Sequence, residues 1–392
     1  MIPVNAQWYN SKIKQAEEQT RYLINQCSEK KLIPRTYTPE NGVEYVNIKD
    51  WTSGFFPGIL WLLYYHTNNT YWKNEAFHYT QLLSPIQHFT NHHDVGFMIM
   101  SSYGQAYALN NDTSYSNVII NTANSLITRY REKVGTIQSW NERVSRTGMP
   151  WKCPVIIDNM MNLELLFKAS ELTGDETYKK IAIRHADNTL KNHIRPDFST
   201  YHVVNYDLET GVVTDRDTWQ GFSRNSTWAR GQAWGIYGFT MCYRETGDKN
   251  YLDAAIGLVD FFLNHKNLPK DKIPPWDFNV GEKGYVPDWD YKPVKKNIIS
   301  RDASAASIIA SALLELCTMS DELHKKYFKT AETMLKNLSS SRYFADTTTN
   351  GGFILKRSVG NMPRGLEIDV PLNYADYYYL EALYRYKQLI KK

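Results

Sequence analysis

The sequence predicts an all-α toroid of six inner and six outer helices, with long loops gathered on one face, and three observations predict it. A helical unit recurs along the chain, two kinds of helix alternate within it, and the connections are short in one direction and long in the other. Repeats of this kind decide an architecture before any single element does.

Taken in order, the chain opens with an amphipathic segment around residues 5 to 28, read as the first outer helix. Five more outer segments follow: NNTYWKNEAFHYTQLL, NDTSYSNVIINTANSLI, TGDETYKKIAIRHADNTLKN, TGDKNYLDAAIGLVDFFLN and SDELHKKYFKTAETMLKN. Each begins at a polar cap, carries Tyr71, Tyr115, Tyr178, Tyr251 or Tyr327 soon after, and continues with a one-sided apolar stripe. That is the pattern of a capped surface helix. Immediately before each cap stands a segment richer in apolar and small residues: GFFPGILWLLYYH, MIMSSYGQAYALN, DNMMNLELLFKASEL, GQAWGIYGFTMCYRE and ASAASIIASALLELCTM, with DVPLNYADYYYLEALYRYK as a sixth. Apolar residues on every side mean burial, so these form the inner ring. The repeat spacing, roughly 45 to 75 residues, is long for an open solenoid and favours closure.

From inner to outer helix the chain turns within a few residues, at Asn68 and Asn69, Asn110 and Asn111, Thr173 to Asp175, Thr246 to Asp248, and Ser320 and Asp321. From outer back to inner it runs through 135 to 157, 196 to 229, 268 to 300 and 340 to 368. Long loops within a compact domain usually carry function, and all of these lead into inner-helix N-termini. One face with a central funnel is expected there.

No Ser/Gly-rich or charged linker divides the 392 residues, so one domain over 1–392 is expected. The formal charge of +4 is dispersed, which points away from nucleic-acid and membrane partners. Cys27, Cys153, Cys242 and Cys317 form no CxxC pair and read as reduced core thiols. No apolar run approaches the roughly 20 residues that span a bilayer, and MIPVNAQWYNSKIKQ lacks a signal-type core. A cytoplasmic location is expected for the chain as written, and a periplasmic one if a leader preceded it. Aromatic residues make up 14% of the chain, and such residues fill cores and also stack on sugar rings.

Trp51, His93 and Asp94, Asp158, Arg230 and Trp234, Asp302 and Asp369 fall at inner-helix starts and should converge at the funnel mouth. Asp302 and Asp369 read as N-caps, which that position favours. Asp94 lies beside His92 and His93, but adjacent residues rarely share a metal and no HExxH spacing is present, so no metal is assigned. Asp158 enters the strongly apolar CPVIIDNMMNLELL. Burial there would raise its pKa and supply a protonated acid at neutral pH; a structural Asp bonded to its own helix start is the alternative. DTWQGFSRNSTWARGQAWGIYGF gathers Trp219, Gln220, Arg224, Trp228, Arg230, Gln232 and Trp234. A guanidinium fork, an amide and indole faces together suit an acidic sugar.

At these residues a family resemblance enters. RGQAWGIYGF, WTSGFFPGILW, HDVGF, IIDNMMNLELL and EIDVPLNYADYYYLEAL resemble, in order and over nearly the whole chain, the unsaturated glucuronyl hydrolases of glycoside hydrolase family 88. The resemblance implies an (α/α)6 barrel and a hydration rather than direct glycosidic cleavage. An aspartic acid protonates C4 of a terminal 4,5-unsaturated uronate, water adds at C5, and the hemiketal collapses with loss of the linked sugar. The matching acid is Asp158, which also takes a proton from the water, and Asp94 matches the second family carboxylate. By position, Trp51 and Trp140 (in IQSWNER) match ring-stacking aromatics, and His93 a histidine beside the carboxylate. His202 (in STYHVVNYD) matches one near the substrate's acidic end, Gln220 and Arg230 match a carboxylate-recognition pair, and Trp234 lines the same pocket. In FILKRSVGNMPRGLEID, Lys356, Arg357, Ser358 and Arg364 are candidates for a sulfate, or form a solvated basic loop.

Glycosaminoglycan fragments are the expected substrate source. The alternatives are an unsaturated rhamnogalacturonyl hydrolase acting on pectin fragments, an inverting glycosidase using Asp94 and Asp158 as acid and base, and a non-enzymatic glycan-binding toroid. No cofactor is implied, because a vinyl ether is already activated toward protonation. The expected partner is the oligosaccharide alone, with the protein a monomer or homodimer.

Overall fold

A computed structural model describes residues 4–27, 31–293 and 299–390. The expected end of the first helix at residue 28 and positions 294–298 of the 268–300 loop lie outside the described residues.

The outer helices are α1 (Val4–Cys27), α3 (Thr70–Leu82), α6 (Thr113–Ile127), α8 (Glu176–His193), α10 (Lys249–Asn264) and α12 (Asp321–Leu338). The inner ring comprises α2 (Phe55–Thr67), the pair α4 (Val95–Ile99) and α5 (Gln105–Asn110), α7 (Leu163–Thr173), α9 (Ala229–Thr246), α11 (Ala303–Leu316) and α13 (Asn373–Ile390). Neighbouring inner elements touch around the whole ring, from α2 through α4, α7, α9 and α11 to α13, which packs back on α2. This is the (α/α)6 toroid expected from the sequence.

Sequence explains the two layers. Every residue of α11, ASAASIIASALLEL, is buried, and its alanines and serines let α9 and α13 approach closely. In α12 only Leu323, Tyr327, Ala331, Glu332, Met334, Leu335 and Leu338 are buried, a single stripe at helical spacing. The short turns are built by local chemistry. Asn69, Asp112, Asp175, Asp248 and Ser320 each accept a hydrogen bond from a backbone N–H two or three residues on, contributing about 1 kcal/mol per cap. Asn68, Asn111, Gly174 and Gly247 end the preceding inner helices in the left-handed region.

Three inner elements depart from the expected unbroken helices. The second is interrupted by a π-helical turn, Met100–Gly104, where Ser101 and Ser102 donate back to the carbonyls of Phe97 and Met98. The third begins as a 3-10 helix, Ile157–Asn162, because Asn159 and Asn162 direct their side chains to the Ile137 carbonyl and the Phe97 N–H. The sixth starts at Asn373, since Leu366–Val370 pairs as a strand with Ser358–Asn361. Asp369 is therefore not an N-cap: it sits in that strand at φ 59° and faces Arg357 at 3.6 Å.

The long loops, expected as irregular chain, carry short antiparallel strands. Ile33–Thr38 pairs with Gly42–Val46, and Arg143–Val144 with Pro150–Trp151. Cys153–Ile156, Val203–Tyr206 and Val213–Asp217 form a three-stranded sheet. All four cysteines are buried thiols. Among the described residues, no helix is long and apolar enough to cross a membrane.

Candidate active site

The funnel exists as a cavity of about 490 Å³ at the N-terminal ends of the inner helices. Trp51, Asp94, Trp140, Asp158, Gln220, Arg230 and Arg364 line it, as the sequence led one to expect.

Asp158 is delivered by strand register. Ile156 pairs with Val203 and the Ile157 N–H donates to the His202 carbonyl at 3.0 Å, so the two functional side chains emerge side by side. His202 Nε2 stands 3.7 Å from Asp158 Oδ2. His202 Nδ1 accepts the backbone N–H groups of Trp219 (3.0 Å) and Gln220 (3.2 Å), which leaves the ring proton on Nε2, facing the carboxyl. Burial, reinforced by Arg146 and Arg230, holds His202 far below the usual imidazole pKa, so the ring is neutral. Burial pushes Asp158 up to about 7; Asp94 adds to the rise, while Arg230 and the Trp234 indole pull against it. At neutral pH a large fraction of Asp158 is protonated. Asp158 is not the N-cap, since Ile156 holds that position without a side-chain cap bond; the carboxyl does meet its own backbone N–H in the first turn of the 3-10 helix.

Asp94 is driven the other way. Burial alone would raise it, but His93 and His92 outweigh that and hold its pKa below the ordinary carboxylate value. His92 Nδ1 lies 3.1 Å from one oxygen and His93 Nε2 3.3 Å from the other. The buried amide of Asn162 sits 3.3 Å from His93 Nδ1, directing the proton to Nε2 and thus to Asp94. Two carboxyls in one cavity are thereby set to opposite charge states, the arrangement that separates acid from anion in enzyme sites.

Arg230 is buried at the start of α9. It pairs with Asp302 at 3.1 Å and donates to the carbonyls of Val359 and Gly360. The Gly360 carbonyl also takes the Gln220 amide at 3.1 Å. Asp302 is the N-cap of α11 as expected, and its other oxygen anchors Arg230. Trp51 stands on Phe55, Phe97 and Tyr374 with its remaining face on the cavity.

Four candidates do not line the cavity: His93 and His202, buried beside Asp94 and Asp158, and Trp234 and Ser358. Trp234 is fully buried behind the wall, between Phe97 and Tyr378, and meets the site through Asp158 rather than by lining the cavity. Ser358 is fully buried in its strand, opposite Val370. Lys356 and Arg357 are turned to the carbonyls of Ser341 and Arg342, so Arg364 alone of that basic loop faces the cavity. Arg224 pairs with Asp215 at 2.5 Å, and Gln232 serves the carbonyls of Phe198 and Leu258.

Sequence reading missed Arg35, Glu44, Glu367 and Tyr374 on the wall. Arg35 bonds Glu367 and reaches Asp50 at 2.7 Å, tying the first hairpin to the last. The only local signal was a lone arginine in an alternating strand, IPRTYT, which periodicity does not mark.

The model of the family described as Glycosyl Hydrolase Family 88 matches residues 15–245. An unsaturated glucuronyl hydrolase of Formosa agariphila is 48% identical over 89% of this chain and 83% of its own length. An unsaturated chondroitin disaccharide hydrolase of Streptococcus agalactiae is 34% identical over 95% and 90%. A crystal structure of an unsaturated glucuronyl hydrolase specific for heparin superposes with TM-score 0.90 at 42% identity, covering 98% of both chains.

Proposed function

The chain belongs to glycoside hydrolase family 88, and we propose that it works as one catalytic unit that hydrates the C4=C5 bond of a terminal 4,5-unsaturated glucuronate. The oligosaccharides are those left by polysaccharide lyases, with glycosaminoglycan fragments as their source. One arrangement carries this reading: in a single cavity Asp158, beside His202, is pushed up by burial to about 7, while Asp94, between His92 and His93, is held below the ordinary carboxylate value.

Asp158 donates its proton to C4, and positive charge develops at C5 and the ring oxygen. The fixed negative charge of Asp94 stabilises it. The Asp158 carboxylate, now an anion facing the His202 Nε2–H, takes a proton from the water that adds at C5. The hemiketal then collapses and the next sugar leaves. Trp51 and Trp140 supply faces for the ring, and Gln220, Arg230 and Arg35 are the donors for its carboxylate.

The test is loss of the double-bond ultraviolet absorbance on lyase-generated disaccharides from chondroitin, heparin, hyaluronan and pectin. Decay on a glucuronate substrate that falls about 10²- to 10⁴-fold in Asp158→Asn is expected. Release of sugar with the absorbance intact would show ordinary glycosidic hydrolysis instead.

A further inference from the structure

Beside the wall of the cavity, the hairpin that pairs Arg143–Val144 with Pro150–Trp151 carries two arginines that the reaction does not use. Trp151 is buried with its indole N–H on Asp215, and Arg143 is its cross-strand partner, so the hairpin is held in register. The Arg143 guanidinium lies 4.2 Å from the Trp140 ring centre and 5.5 Å from that of Trp219. Arg146 lies 5.0 Å from Trp219, fixed by the Thr218 and Trp219 carbonyls and facing Asp288 at 3.6 Å. Trp140 belongs to the cavity wall, and so does the exposed Arg364, which comes from the distant 358–370 hairpin.

These charges are poorly compensated. Among the described residues no carboxylate forms an ion pair with Arg143 or Arg364, and Arg143 Nε is buried without a hydrogen-bond partner. The adjacent Glu142 is engaged by Lys152 at 2.8 Å. Burial first, and then repulsion from Arg364, weakens proton binding at Arg143. Bringing like charges together on aromatic faces costs stability unless an anion joins them.

The geometry points to an anion subsite in which Arg143 and Arg364, backed by Arg146, grip a sulfate or carboxylate on the sugars beyond the unsaturated residue. It rests on the reading of the cavity given above. The subsite adds a second wall, on a separate hairpin, to the basic loop at the C-terminal end of the chain. Trp140 would then serve both positions, one face toward the unsaturated ring and the other braced by Arg143.

The experiment compares wild type with Arg143→Met, whose apolar stem still covers Trp140, on three lyase products. These are an unsulfated disaccharide, the same disaccharide sulfated on its second sugar, and an unsulfated tetrasaccharide carrying a second uronate. The kcat/KM of the sulfated disaccharide relative to the unsulfated one is expected to fall about tenfold in the variant, through KM, with Arg364→Gln acting in the same direction. A fall confined to the tetrasaccharide would assign the subsite to a carboxylate. Equal losses on all three substrates would mean that Arg143 only braces Trp140, and no loss on any would mean that it faces solvent idly; either result overturns the subsite. If wild type consumed the double bond of none of them, the functional reading itself would fall.

Discussion

The two ends of the inner ring use their charged groups in opposite ways. Toward the C-terminal ends, Arg244 pairs with Glu164 at 2.5 Å and Glu315 at 2.7 Å. Arg385 pairs with Glu315 at 2.6 Å and with the Tyr237 hydroxyl at 2.9 Å, and Ser311 donates to Glu381. Burial would raise Glu315, but Arg385 and Arg244 hold it below its ordinary value, so the network is internally neutralised. At the N-terminal ends, Asp158 Oδ2 and His202 Nε2 are buried without hydrogen-bond partners among the described residues. Charges paired with opposite charges hold the ring together, whereas polar groups left open to the cavity keep a reaction site ready at a cost in stability.

The largest expected effect separates those costs. Asp158→Asn should lose about 10²- to 10⁴-fold in turnover and yet gain stability at pH 8. Because the folded pKa is raised to about 7 from the model-peptide 3.8, this carboxyl's contribution to stability is present at low pH and lost as pH rises from about 4 through about 7. At about 1.4 kcal/mol per pKa unit, the gain in the variant is on the order of a few kcal/mol at pH 8 and absent at pH 4. Denaturant melts at the two pH values check it, and equal stability in both would break the contrast.

Next in size, Arg385→Met should cost about 3–5 kcal/mol by leaving Glu381 without its cation and Glu315 with Arg244 alone. Turnover measured well below the melting temperature should stay near wild type. A large fall in kcat would mean that the two ends are coupled.

Asp376 sharpens the comparison from inside the core. Burial pushes its pKa up to about 8, close to Asp158, but both of its oxygens accept backbone N–H groups, from Ile354 and Leu355 at 2.8 Å. A raised pKa alone does not make a catalytic acid; an open cavity does. Asp376→Asn should cost about 1–3 kcal/mol of stability by turning a donor toward those N–H groups, with the pH–rate profile unmoved.

The smallest effect concerns that profile. The rate should decline as pH rises through about 7, as Asp158 loses its proton. Asp94→Asn removes the negative charge that helps hold the proton, so besides any loss of rate its alkaline limb should move to lower pH. A limb that stayed in place would show that Asp94 does not tune the acid.

Helices were legible because their signal is local: a cap, a stripe and a turn within about 20 residues place each of the outer ones. Asp94, Asp158, Trp51 and Arg230 were legible because residues at inner-helix starts converge on one face of a toroid, and Gln220 because the family resemblance pairs it with Arg230. The short strands were not, since segments of two to six residues carry too little alternation to register, and Asp369 was misplaced for that reason.

Sequence by itself determined the ring, the end at which it opens, and the identity of the two carboxyls. Tertiary structure decided the charge state of Asp158, which depends on burial and on Arg230, Asp94 and Trp234 arriving from elsewhere in the chain, whereas His92 and His93, which hold Asp94 low, are its sequence neighbours. It also decided which basic residues face the cavity. Arg35 meets Glu367 across 332 positions, and Arg143 reaches the field of Arg364 from another hairpin. Such pairings follow from strand register and ring closure, and no local pattern encodes either.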